Sequence, residues 1–190
     1  QCLHNELPKR LAAMAQDLME LPGGLAETPS ARRIQQLYVR SFTEVLEFPH
    51  PQNASDEKRF TELLAAIKDR HRHVVETMAL GLRELQQSIG SREVPPEVHE
   101  ALDRFYKTRI GIRLLIGQHV ALHSVRPGWV GIIHGECAPA QVAWEAAQNA
   151  AHLCEINYGR KPEVRIVGVT DLTFTYIPSH LHHMVFELLK

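Results

Sequence analysis

No run of this sequence approaches the roughly 18 apolar residues that a membrane-spanning helix requires. The opening Gln1-Cys2-Leu3-His4-Asn5-Glu6 carries neither an initiator methionine nor the charged-then-apolar pattern of a signal peptide. Charge of one sign is missing too. Twenty-one Lys and Arg stand against 22 Asp and Glu, a formal net charge of -1, which leaves no electrostatic footprint for nucleic acid or an anionic lipid surface. Cysteine is scarce: Cys2, Cys137 and Cys154 are odd in number and far apart, which suits a reducing compartment and excludes a disulfide scaffold or a cysteine-built metal site. Neither GxGxxG nor GxxxxGK[ST] occurs, so no glycine-rich phosphate loop is legible. No internal repeat or low-complexity stretch interrupts the 190 residues. What remains is an ordinary globular composition, 44% hydrophobic and 23% charged, with twelve histidines as its one oddity.

Helical periodicity dominates the first two thirds. Leu7, Leu11, Met14, Leu18 and Leu21 recur on one face, and Pro22-Gly23-Gly24 ends the run. Thr28-Pro29 is a start signal, capping residue then proline, for a second stripe from Ile34 to Phe48 closed by Pro49-His50-Pro51. Ser55, with Asp56 and Glu57 suiting the positive end of the dipole, opens a third. Its stripe runs from Phe60 through Ile67, His71, Val74 and Met78 to Leu85. Before Gly90 it meets no breaker but Gly81, so the pattern predicts one rod of about 35 residues and ~50 Å. Pro95-Pro96 restarts the chain for a fourth stripe, Val98 to Val120. Four amphipathic helices with short connections predict a four-helix bundle over 1–127.

At Pro127-Gly128 the texture changes. Trp129 to Ile133 is a short apolar run beside glycines, Pro139 to Tyr158 is helical with Gly159 as C-cap, and Glu163–Val167 and Leu172–Ile177 read as strands. Pro178-Ser179 opens a last helix with Ser179 as its cap. Residues 128–190 therefore read as an unfinished α+β domain. The first residue lies inside a helical pattern and Lys190 ends one without a stop signal, so the chain reads as a piece cut at both ends.

Three constellations bear chemistry. In the last helix Leu181, Val185, Leu188 and Leu189 form a seating face, while His183, Glu187 and Lys190 share another, an imidazole and an ammonium beside a carboxylate suited to general-base work. The same spacing fits a solvated face with an i,i+4 pair. In the fourth helix Arg109 and Arg113 are four apart among apolar neighbours. Two guanidiniums there make a site for a small carboxylate or phosphate, unless an acid such as Asp69 or Asp103 pairs with them. His119 and His123 are also i,i+4, but no acidic partner stands at zinc spacing, so the histidines read as scattered helix and core residues and no metal site is expected.

The run Ile177-Pro-Ser-His-Leu-His-His-Met-Val-Phe-Glu-Leu-Leu-Lys190 resembles the N box of the mitochondrial protein kinases that phosphorylate pyruvate dehydrogenase, members of the GHKL ATPase superfamily. Glu6-Leu-Pro-Lys-Arg-Leu11, Leu37-Tyr-Val-Arg-Ser41, Arg104-Phe-Tyr106, Arg109-Ile-Gly-Ile-Arg113, Gln118-His119 and Val130-Gly-Ile-Ile133 extend the resemblance in order along the whole chain. The sister branched-chain α-ketoacid dehydrogenase kinases share most of these blocks. The resemblance implies an α+β fold: a four-helix bundle over 1–127 for regulation and docking, then over 128–190 the start of a GHKL α/β sandwich that binds ATP with Mg²⁺. It places Glu187 as general base toward a substrate serine, His183 as its tuning partner, and Glu187 and Lys190 at the nucleotide. The Mg²⁺-holding asparagine and the glycine boxes would follow Lys190, so these 190 residues alone are expected to be inactive.

The resemblance further implies a bundle pocket for small α-keto or halo acids at Leu11, Tyr38, Ser41, Ile67, His71, Thr108, Arg109, Ile112, Arg113 and Ile116. Lys68 stands where the pyruvate branch has arginine. The implied partners are the pyruvate dehydrogenase component, lipoyl domains of the acyltransferase core and a second copy in a homodimer, in the mitochondrial matrix, with neither nucleic acid nor a membrane span. The alternatives are the branched-chain kinase and a non-catalytic helical scaffold that senses a small acid.

Overall fold

A computed structural model describes residues 2–190. The chain falls into two compact units that meet at His123 and Ser124.

The first unit is helical: α1 (Cys2–Met19), α2 (Pro29–Glu47), α3 (Ala54–Arg70), α4 (Val74–Ile89) and α5 (Pro96–Leu122). Their apolar stripes meet in one buried cluster that includes Leu7, Leu11 and Met14 of α1, Ile34 and Tyr38 of α2, Leu64 and Ile67 of α3, Met78 of α4, and Phe105, Ile112 and Ile116 of α5. Helix α1 packs on α2 and α5, α3 on α5, and α4 on α2. Thr28 caps α2 as expected, its Oγ1 accepting from the Ala31 N–H at 3.3 Å, with Pro29 inside the first turn. For α3 the cap is Asn53, not Ser55: its Oδ1 accepts from the N–H groups of Ser55 and Asp56 at 2.9 and 3.0 Å. A preceding Asx side chain reaches two orphan donors at once, which a serine two residues later does not.

The unbroken third rod is corrected. Helix α3 ends at Arg70 and α4 begins at Val74, so the helical unit holds five helices where four were expected. At His71 (φ -85, ψ 9) the chain leaves the helix; Arg72 N–H turns back to the Asp69 carbonyl at 3.0 Å. The His71 carbonyl accepts from the Val74 N–H at 3.4 Å and from Arg109 Nη2 at 2.9 Å. A charge-assisted bond from another helix is worth more than one neutral ladder bond, so a break without glycine or proline is stable here.

Gly81, the residue that looked like a weak point, has a packing role. A Cβ there would lie 3.3 Å from Thr28 Oγ1 and 3.5 Å from Ser30 Cβ, so glycine lets α4 reach the N-terminus of α2. One turn on, the Glu84 carboxylate accepts from Ser30 N–H at 3.0 Å and Ser30 Oγ at 2.7 Å, supplying acidic charge to that helix end. Gly81→Leu should therefore destabilise the helical unit by about 1–3 kcal/mol through overpacking, read as a lower urea midpoint with unchanged slope.

The second unit contains β1 (Trp129–Val130), β2 (Ile133–Cys137), α6 (Pro139–Tyr158), β3 (Phe174–Tyr176) and α7 (Pro178–Leu189). The sheet is antiparallel in the order β1-β2-β3, with Val130 opposite Ile133 across a tight Gly131-Ile132 turn and His134 opposite Tyr176. Gly131 at φ 63 supplies the positive φ that such a hairpin requires. The class is α+β, with a helical N-terminal part.

Three details of the sequence reading change. Glu163–Val167 is not a strand; alternation specifies a face but not a partner, and none of the strands among the described residues pairs with it. Ser179 does not cap α7, whose N-cap position is Ile177 with Pro178 at the first turn. Its seating face is also rotated: Leu188 and Leu189 are exposed, whereas His182 and Phe186 turn toward Asn149, Leu153 and Ile156 of α6. His182 Nε2 meets Asn149 Nδ2 at 3.0 Å. Helix α6 runs to Gly159, the expected left-handed cap (φ 67), and buries Val142, Ala146, Ala147, Ala150 and Ala151.

Candidate functional site

Within the helical unit, the break between α3 and α4 places His71 against Tyr38, Ser41 and Arg109, four of the residues singled out for a small-acid pocket. His71 is buried, and its Nε2 lies 2.8 Å from Ser41 Oγ. That hydroxyl gives its proton to the Leu37 carbonyl at 2.9 Å, so the imidazole donates and is the Nε2–H tautomer. The Tyr38 ring meets the imidazole edge-on, with centroids 4.5 Å apart. Burial pushes His71 down to about 4 and Tyr38 up to about 12, so both stay neutral at pH 7.

Into this neutral, apolar wall projects a cation. Arg109 is only 5% exposed. Its Nη2 donates to the His71 carbonyl, but among the described residues Nε and Nη1 find no hydrogen-bond partner. Neither acid that might have paired with the arginines does so: Asp69 pairs with Arg72 at 3.5 Å and Asp103 with Lys107 at 3.7 Å. Burial, with the Arg113 charge adding to it, lowers the Arg109 pKa. Arg113, half-buried, donates to the Lys68 carbonyl at 3.3 Å. Arg70 is neutralised by Glu44 at 2.7 Å. A buried guanidinium with two idle donors is costly unless an anion completes it, and its fork suits a carboxylate. Leu11, Ile67, Ile112 and Ile116 are buried in the same core cluster, and Thr108 is half-buried beside Arg109 in sequence.

In the second unit the polar face of α7 exposes His183, Glu187 and Lys190. Here the pairing differs from expectation. The Glu187 carboxylate is bound by Lys190 Nζ, at 3.0 Å to Oε1 and 2.9 Å to Oε2, and among the described residues His183 makes no hydrogen bond to it. The Lys190 hydrogen bond holds its pKa below the ordinary carboxylate value, with His183 contributing only at longer range. The group is therefore ionised and acceptor-competent at neutral pH.

A family model described as mitochondrial branched-chain alpha-ketoacid dehydrogenase kinase matches residues 1–134. The chain belongs to this kinase family. It is 44% identical over 192 residues to the mitochondrial pyruvate dehydrogenase (acetyl-transferring) kinase of Arabidopsis thaliana, covering 100% of this chain and 52% of that protein. Against isozyme 1 of that kinase from Rattus norvegicus it is 36% identical over 203 residues, 99% of this chain and 46% of the relative. Against isozyme 4 from Mus musculus it is 34% identical over 202 residues, 99% of this chain and 49% of the relative. The chain thus spans about half the length of the curated relatives it matches. The match to the family model ends at residue 134, so it covers the helical unit with the buried Arg109 and stops short of α7.

Sequence reasoning missed two contributors to the surroundings of Arg109. The His71 carbonyl is a ligand of Arg109 only because the helix breaks there. Glu44, which removes Arg70 from contention as an anion ligand, gave no signal beyond being an acid on an exposed stretch.

Proposed function

We propose that the chain is the N-terminal part of a mitochondrial, matrix-resident kinase that uses ATP to phosphorylate serine on the pyruvate dehydrogenase component, and that its helical unit senses a small organic acid. The branched-chain kinase reading has the family model's description in its favour. Relatives over the full chain are named for pyruvate dehydrogenase, which supports the pyruvate branch. The observation carrying the sensing role is the buried Arg109 with two unpartnered donors.

In this reading the acid's carboxylate takes Arg109, with Arg113 and the neutral His71 beside it and Ile67, Ile112 and Ile116 around its apolar end. In the kinase reaction Glu187 accepts the serine proton, His183 orients and tunes it, and the exposed Lys190 ammonium suits a nucleotide phosphate. Mg²⁺·ATP supplies the transferable phosphoryl group when bound. Lipoyl domains of the acyltransferase core and a second copy of the kinase complete the proposed partners.

The test is a thermal melt with dichloroacetate or pyruvate. Binding to the folded state alone should raise the midpoint, with about 2.7 kcal/mol available at a hundredfold excess over Kd. Arg109→Met should abolish the rise, and without acid should cost no more than the one charge-assisted bond to His71, about 1.5–3 kcal/mol. Arg113→Ala should also remove the rise. An unmoved wild-type midpoint at millimolar acid, or a collapse of the Arg109→Met fold, would make these arginines structural.

A further inference from the structure

Away from Arg109 and from α7, Glu57 of α3 and His119 and His123 of α5 converge, one ligand atom from each lying within 4.8 Å of the others. Glu57 Oε1 faces both rings, 3.8 Å from His119 Nε2 and 3.6 Å from His123 Nε2. Ligands held about 2.1 Å from a tetrahedral zinc ion are about 3.4 Å apart, so the two carboxylate–imidazole distances need to close by only a few tenths of an ångström, and the two imidazole nitrogens by no more than about 1.4 Å. We propose that Glu57, His119 and His123 form a binding site for a divalent transition ion of the zinc class, clamping α3 to α5.

The surroundings orient the ligands. His123 Nδ1 donates to the His119 carbonyl at 2.9 Å, which fixes its proton on Nδ1 and aims the Nε2 lone pair at Glu57. A metal-bound histidine makes this kind of outer bond. Thr61 Oγ1 gives its proton to the Glu57 carbonyl at 2.9 Å, so in the metal-free protein it accepts from His119 Nε2–H at 3.0 Å. Zinc takes that nitrogen once the ring proton moves to Nδ1, while Thr61 keeps its bond to the backbone. His119 is 14% exposed and held against Phe60, their centroids 5.6 Å apart; His123 and Glu57, each 36% exposed, leave the ion a way in and an open fourth position for water. Burial and the neighbouring His123 lower the His119 pKa, which favours the neutral ligand form. Two imidazoles and one carboxylate suit zinc or its neighbours over Mg²⁺, which prefers oxygen ligands in octahedral array.

The test is calorimetry of the tag-free protein with Zn²⁺, with Mg²⁺ as the comparison ion. One Zn²⁺ per chain should bind and raise the thermal midpoint, and Mg²⁺ should do neither. His123→Ala and Glu57→Gln, both at exposed positions that the fold tolerates, should each weaken Zn²⁺ binding at least about tenfold. His152→Ala, at a histidine paired with Glu155 in the second unit, should bind as wild type. Absence of saturable Zn²⁺ binding, wild-type affinity in either ligand variant, or loss of binding in His152→Ala would overturn the site.

Discussion

Glu187→Gln in the complete kinase polypeptide should slow phosphoryl transfer by about 10²–10⁴-fold and leave nucleotide affinity within a few-fold of wild type. The substitution keeps size and hydrogen-bonding shape but cannot take up a proton. Glu187 is exposed on α7 and kept ionised by Lys190, so at neutral pH it already has the charge a base requires. Its low pKa makes it a weak base as it stands, and His183, which makes no direct bond to it among the described residues, lowers that pKa further through its charge. His183→Ala should accordingly cost less than Glu187→Gln. Single-turnover transfer set against nucleotide binding separates the two roles; a Glu187→Gln enzyme retaining most of its rate would reduce the carboxylate to a surface ion pair.

The helical unit should be sensitive to mild acid through one residue, His71. Its folded pKa, about 4, lies below the ordinary value of 6.5, so between those limits the unfolded chain binds more protons than the native one. Stability contributed by the neutral ring is complete above pH 6.5 and is lost as pH falls toward 4. The loss amounts to about 2 kcal/mol by pH 5 and about 3 kcal/mol by pH 4. His71→Gln retains a donor for Ser41 but does not titrate. It should flatten the fall in urea midpoint between pH 7 and pH 5, even if it is less stable at pH 7. Parallel curves for the two proteins over that window would place the acid sensitivity elsewhere.

Helix number and capping show where sequence patterns stop being informative. Apolar spacing recovered the stripes of α1, α2 and α5, and Thr28-Pro29 and Gly159 marked the start of α2 and the end of α6 correctly, because caps act within a few residues of chain. The same spacing ran through His71-Arg72-His73 without interruption, since all three residues tolerate a helix and the partner that satisfies the broken end, Arg109, lies 38 residues away. The Glu163–Val167 alternation failed for a related reason: a strand exists only if another offers it a ladder.

By itself the sequence determined the helical stripes, the change of texture near Pro127-Gly128, the polar face carrying His183, Glu187 and Lys190, and a resemblance spanning the whole chain, all of which are local or ordered along it. Only the tertiary structure decided the charge balance around Arg109. Asp69 of α3 and Asp103 of α5 were the acids available to neutralise the arginines, and they turn instead to Arg72 and Lys107. It also brought Glu57, some sixty residues away, against His119 and His123, where sequence spacing offered no acid. Coulombic and hydrogen-bonding partners are chosen by distance in space, and helix packing sets that distance.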